Sequence, residues 1–127
     1  MPLLHAGFRN VRGPASRCYP DRVKFNVDDL LARLPLPATE KWKEGVWDVE
    51  PFEKDGVTLV FFAPRGRDYQ TSHDKDEFYF VASGSADLIV DGEANTLVAG
   101  DVFFVAAGVK HHFKNISTEF ATWAVFF

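Results

Sequence analysis

Gln70-Thr71-Ser72-His73-Asp74-Lys75-Asp76-Glu77-Phe78-Tyr79-Phe80-Val81-Ala82-Ser83-Gly84 sets an imidazole and a carboxylate four residues apart, just ahead of an aromatic run. On one straight strand, residues four apart share a face but stand about 13 Å apart, too far to share an ion. On a helix the same spacing would bring them together. Phe78-Tyr79-Phe80-Val81 has strand character, which disfavours the helix. The remaining geometry is a strand ending at His73, a tight polar bend over Asp74-Lys75-Asp76, and a new strand starting near Glu77. Such a bend returns both side chains to one point.

A second stretch, Gly100-Asp101-Val102-Phe103-Phe104-Val105-Ala106-Ala107-Gly108-Val109-Lys110-His111-His112-Phe113-Lys114-Asn115, reads as a strand, a glycine-bearing turn and a strand that opens on two histidines. Successive side chains on a strand point to opposite faces. Only one of His111 and His112 can therefore face a core, and alternation alone does not choose between them.

Outward from these stretches, short apolar runs alternate with turn signals. The runs are Val46–Val49, Val57–Ala63, Phe78–Ala82, Ala86–Val90, Asn95–Val98, Val102–Ala106, His111–Lys114 and Glu119–Phe127. Between them lie Asp55-Gly56, Arg65-Gly66, Ser83-Gly84, Asp91-Gly92, Gly100-Asp101 and Gly108. Many short strands with a glycine turn at short intervals predict an all-β barrel or sandwich, and Asp91-Gly92 is a strong hairpin signal. One short helix precedes them. Asn26 caps it, Asp28 and Asp29 suit its positive end, and Val27, Leu30, Leu31 and Leu34 share a face until Pro35 and Pro37 stop it. That stripe is expected to cover an end or flank of the main core. Residues 1–24, rich in Pro and Gly, read as an irregular arm.

The two stretches together resemble the motifs of the cupin family. The first motif, G-x5-H-x-H-x3–4-E-x6-G, is met at His73, Glu77 and Gly84; the second, G-x5-P-x-G-x2-H-x3-N, at Gly100, Gly108, His111 and Asn115. Thr71 stands where the family has the first histidine of its pair, Ala106 where it has proline, and the opening glycine is displaced to Gly66. The resemblance covers about residues 65–115. It implies a cupin double-stranded β-helix (jelly-roll barrel), with residues 46–127 as barrel and 1–45 as an arm and helix packed on it, one domain in all. It also selects His111 over His112. The implied metal ligands are His73, Glu77 and His111, one short of the family's three histidines and a glutamate. Thr71 is a poorer ligand than imidazole, and Gln70 is an oxygen donor that strict alternation puts on the face opposite His73. The implied ion is divalent: Fe2+, Mn2+, Zn2+ or Ni2+. A homodimer is expected from the same resemblance, with the arm available for exchange.

With Glu77 inward, Tyr79 and Val81 share its face, and Phe113 shares that of His111. Phe61 or Phe62, Phe103 or Phe104, and Trp123 are further candidates to line a cavity for a small apolar or aromatic molecule, with Tyr79 as the candidate catalytic hydroxyl. No Lys or Arg lies in the inward pattern, so a phosphorylated sugar finds no partner there. The functional expectation is a metal-dependent enzyme of dioxygenase type; the alternative is a non-catalytic binding or sensor protein with a structural metal or none.

Composition narrows the classes. A chain of 127 residues supplies one core, and 46% hydrophobic residues argue against disorder. The net charge is −4 with no basic cluster, so nucleic acid is not an expected partner. Cys18 is the single cysteine, so no internal disulfide forms. Met1–Gly7 lacks a basic n-region, and no apolar run reaches the length of a membrane span. A cytoplasmic protein without a membrane partner is expected.

Overall fold

The structure, a computed structural model, describes residues 19–127. The arm up to Cys18 lies outside the described residues. A short helix α1 (Val27–Leu31) is followed by eight strands: β1 (Asp48–Lys54), β2 (Val57–Phe62), β3 (Glu77–Ser83), β4 (Ser85–Val90), β5 (Glu93–Val98), β6 (Val102–Val105), β7 (His111–Lys114) and β8 (Ala121–Phe126). They form two antiparallel sheets, one ordered β1-β2-β8-β3-β6 and the other β5-β4-β7. This is the expected all-β jelly roll.

The sheets pack face to face. Val60, Phe62, Tyr79, Val81, Ala124 and Phe126 of the larger sheet meet Ala86, Leu88, Leu97 and Phe113 of the smaller in one apolar cluster. Alternation holds within the strands. Along β3, Glu77, Tyr79 and Val81 are buried while Phe80 is 41% exposed. Along β7, His111 and Phe113 are buried and His112 faces outward.

The helix begins where expected: the Asn26 side chain accepts a hydrogen bond from the Asp29 N–H at 3.2 Å. It is shorter than the apolar stripe suggested. Arg33 and Leu34 donate to Leu30 and Leu31, an i to i+3 pattern that tightens the chain into turns ahead of Pro35. Leu30, with Val27, Leu31 and Leu34, packs against Phe61, Ala121 and Trp123 on the outer face of the larger sheet. The helix thus covers a flank, and Phe61 and Trp123 belong to its contact rather than to the barrel interior. Among the described residues no helix is long and apolar enough to cross a membrane.

Gly84 of the first motif sits between β3 and β4 with φ +67°, and a Cβ there would lie 2.5 Å from the Phe120 nitrogen and the Ser117 hydroxyl. The backbone ahead of β8 runs against it. Only glycine accommodates both the left-handed conformation and that contact.

Candidate metal centre

Glu77 opens β3 in one sheet and His111 opens β7 in the other, so both project into the gap between the sheets from the same end. His73 comes from a strap, residues 63–76, that carries no strand. The predicted bend is present at Asp74–Lys75, and β3 starts at Glu77 as expected. The strand expected to end at His73 is absent. Specific bonds hold the strap instead. The Arg65 guanidinium donates to the carbonyls of Ala63 and Phe120 at 2.9 and 2.8 Å. The Gly108 N–H donates to the His73 carbonyl at 2.6 Å, and Asp76 accepts from the Ala107 N–H at 2.9 Å. The turn of the second motif therefore clamps the first.

His73, Glu77 and His111 are buried, and one donor atom of each lies within 4.8 Å of the others. His73 Nε2 is 2.9 Å and His111 Nε2 3.0 Å from the same oxygen, Glu77 Oε1. The opposite ring nitrogens decide the protonation. His73 Nδ1 lies 2.8 Å from the Lys75 carbonyl and His111 Nδ1 2.8 Å from the Val109 carbonyl. A carbonyl only accepts, so both Nδ1 atoms carry the proton and donate it. Each neutral ring then turns a bare lone pair, its coordinating atom, towards Glu77. Two lone pairs and a carboxylate oxygen repel at these distances. Two protons relieve the repulsion, and so does one cation shared by all three. Donors about 2.1 Å from an ion and at right angles to each other stand about 3 Å apart, as each Nε2 does from Glu77 Oε1. The residues fit a divalent ion.

Burial would lower the His111 pKa, but the hydrogen bond and charge of Glu77 outweigh it and raise the pKa on balance. His112 is lowered by burial and by the neighbouring Lys114 and His111.

Strand alternation misplaces Gln70. It is buried, as His73 is, because the strap is not a strand and strand alternation does not apply to it. Its amide oxygen accepts from the Tyr79 hydroxyl at 3.2 Å. Its amide nitrogen donates to Asp68, whose carboxylate also accepts from the Phe113 N–H at 2.8 Å. Asp68 thus joins the strap to β7, and no motif spacing pointed to it. Burial pushes its carboxyl up to about 6, against the lowering effect of these bonds. Tyr79 is fully buried, and burial together with the Glu77 and Asp68 carboxylates holds its phenol well above the ordinary value. Thr71 is exposed.

The expected aromatic cavity lining is corrected as well. Phe62, Tyr79 and Phe113 are core rings in mutual contact, Phe61 and Trp123 lie under the helix, and Phe104 is 46% exposed. The half-open cavity beside His111, about 220 Å³, is bordered by Gln70, Thr71, Ser72, Lys110, His111 and His112, polar residues that turn largely their apolar atoms towards it.

A family model described as "Cupin domain" matches residues 58–127. An uncharacterized protein of Streptomyces coelicolor is 42% identical over 91 residues, which is 62% of this chain and 87% of that protein. A cupin-2 domain containing protein from Shewanella frigidimarina superposes with a TM-score of 0.61 at 19% identity, covering 80% of this chain and 91% of the other. A Cupin 2 conserved barrel domain protein from Salinispora arenicola gives 0.55 at 23%, covering 63% and 73%. KdgF from Halomonas sp. gives 0.56 at 17%, covering 62% and 74%. At these identities the structural likeness is one of fold.

Proposed function

The chain belongs to the cupin domain family, and from that premise we propose that it holds one divalent ion through His73, Glu77 and His111 and uses it to act on a small molecule. The observation that carries this is the convergence of two imidazole Nε2 atoms on one buried carboxylate oxygen, at 2.9 and 3.0 Å. Fe2+, Mn2+, Zn2+ and Ni2+ all suit two imidazoles and a carboxylate, the ligand set of non-haem Fe(II) oxygenases. A bound ion would supply Lewis acidity and, as Fe(II), redox chemistry with O2.

The chain's own residues supply orientation and protons. The Lys75 and Val109 carbonyls fix which nitrogen of each histidine faces inward. Tyr79 remains the candidate hydroxyl, bonded to the Gln70 amide oxygen; its raised pKa keeps the phenol protonated, which suits it to donate a hydrogen bond more than to give up its proton. Tyr79→Phe should retain the metal and lose activity, by about 10²-fold or more if it transfers a proton. Loss of metal with the hydroxyl would remove that role.

Reconstitution with Fe(II) under anaerobic conditions, then O2 uptake with small phenols and diketones, tests the oxygenase reading. Substrate-dependent uptake that Glu77→Gln abolishes is expected. Silence across the whole panel overturns it. A second reading, a non-catalytic binding protein, is favoured by one observation: Phe62, Tyr79, Phe113 and Phe126 fill the interior, all of them buried. Retention of a ligand without turnover distinguishes it. The family also supports a homodimer, which light scattering tests against the 14.3 kDa chain mass; a clean monomer removes it.

A further inference from the structure

We propose that the opening beside His111 is an anion subsite, and that the small molecule admitted there carries a carboxylate or a similar oxyanion held by Lys110. The subsite rests on the metal reading only for what the far end of the ligand meets. Its own case is the chemistry of the lining. Gln70, Thr71, Ser72, Lys110, His111 and His112 contribute an amide, two hydroxyls, an ammonium and two imidazoles, and no carboxylate. Thr71, Ser72, Lys110 and His112 offer hydrogen-bond donors, and Lys110 carries a permanent positive charge at neutral pH. A cavity of about 220 Å³ accommodates a single ring with its substituents.

Lys110 reaches this position through the fold. It immediately precedes β7, and its carbonyl accepts from the Asp91 N–H at 3.1 Å, which ties it to the β4–β5 turn. β7 is the edge strand of its sheet. Side chains on both of its faces therefore border an opening that passes around that edge, so Lys110 and His112 line the same space as His111. His112 also lines the two neighbouring cavities, one with Ile89, Asp91, Gly92 and Lys110, the other with Arg67, Asp68 and Lys114 among its walls. The interior pattern of the strands carries no cation, and the mouth supplies one. An anionic group held at the mouth leaves the rest of a small ligand directed at His111 and the ion site.

Salicylate and salicylamide, matched in shape and different in charge, test the subsite by calorimetry on the full chain loaded with Zn(II). Salicylate is expected to bind about tenfold more tightly, the worth of one charged hydrogen bond. Lys110→Gln, at an exposed position outside the proposed ligand set, should bring the two probes within about twofold with zinc content unchanged. The same comparison on chelator-stripped protein separates this claim from the metal reading. A preference that depends on Lys110 in protein that takes up no zinc leaves the subsite standing and the metal reading fallen. Equal binding of the two probes, binding of neither, or a preference that Lys110→Gln leaves intact overturns the subsite.

Discussion

Whether His73 and His111 can ligate an ion turns on which nitrogen of each bears a proton. Main-chain carbonyls of Lys75 and Val109, two residues along the chain from His73 and His111, settle it. Motif spacing located these histidines, but not the carbonyls that orient them, because backbone acceptors leave no mark in residue identity. The same holds for Asp68, which bonds the Phe113 N–H across 45 residues of chain and Gln70 two residues on. Its pKa is raised by burial from 3.8 to about 6. The folded protein therefore binds this proton more tightly than the unfolded chain. That contribution to stability is complete below pH 4 and is lost as pH rises through 6. Relative to Asp68→Asn, the wild type should lose stability between pH 4 and 6, on the order of 1–3 kcal/mol at 1.36 kcal/mol per pKa unit. Urea unfolding of both proteins across that range measures it, and parallel pH profiles would show that Asp68 does not titrate as its burial demands.

At the level of elements, the strands expected from the punctuated apolar runs are present, because glycine and Asp-Gly turns mark where a β chain must reverse; the first is displaced, since the run Val46–Val49 gives way to β1 at Asp48–Lys54. The helix is marked equally well at its start, by Asn26, and less well at its end, where the apolar stripe continues into tightened turns. The strap at residues 63–76 was not legible. It looks extended, and its path is set by Arg65, Asp68 and Asp76 bonding to distant backbone rather than by a ladder, so Gln70 fell on the wrong side. The motif glycines divide by what surrounds them. Gly84 has φ +67°, and a Cβ added there would stand 2.5 Å from backbone, whereas Gly108 has φ +81° with open space around it. Gly84→Ala should cost more than about 2 kcal/mol, and Gly108→Ala about 1 kcal/mol from backbone strain alone. Shifts in the urea midpoint at constant m-value report this, and equal losses would show that the contact with the Phe120 backbone relaxes freely. Asn115, the last residue of the second motif, plays a structural part. Its side chain donates to Asp87 on β4 at 2.7 Å, tying the end of β7 to its neighbour.

On the scale of the whole molecule, the His73–Glu77–His111 cluster joins the two sheets, since Glu77 belongs to one and His111 to the other. Metal that binds only the folded state stabilises it by about 2.7 kcal/mol at a hundred times its Kd. A chelator should therefore lower the melting temperature by several degrees, and scans with and without it should coincide in Glu77→Gln. A chelator effect that persists in Glu77→Gln would place the stabilising ion elsewhere. The two-sheet architecture was readable from strand punctuation and paired motifs; the presence of Lys110 at the mouth was not, because it depends on which side chains border the edge of β7. The most direct test of the central claim is elemental analysis of untagged protein, wild type beside His111→Ala, after reconstitution with each of Fe2+, Mn2+, Zn2+ and Ni2+. About one ion per wild-type chain is expected for at least one of these metals. His111→Ala should remain folded by circular dichroism and lose affinity by more than the 10–100-fold typical of an outer-shell change. A wild type that takes up none of the four, or a variant that holds as much as the wild type, would contradict it.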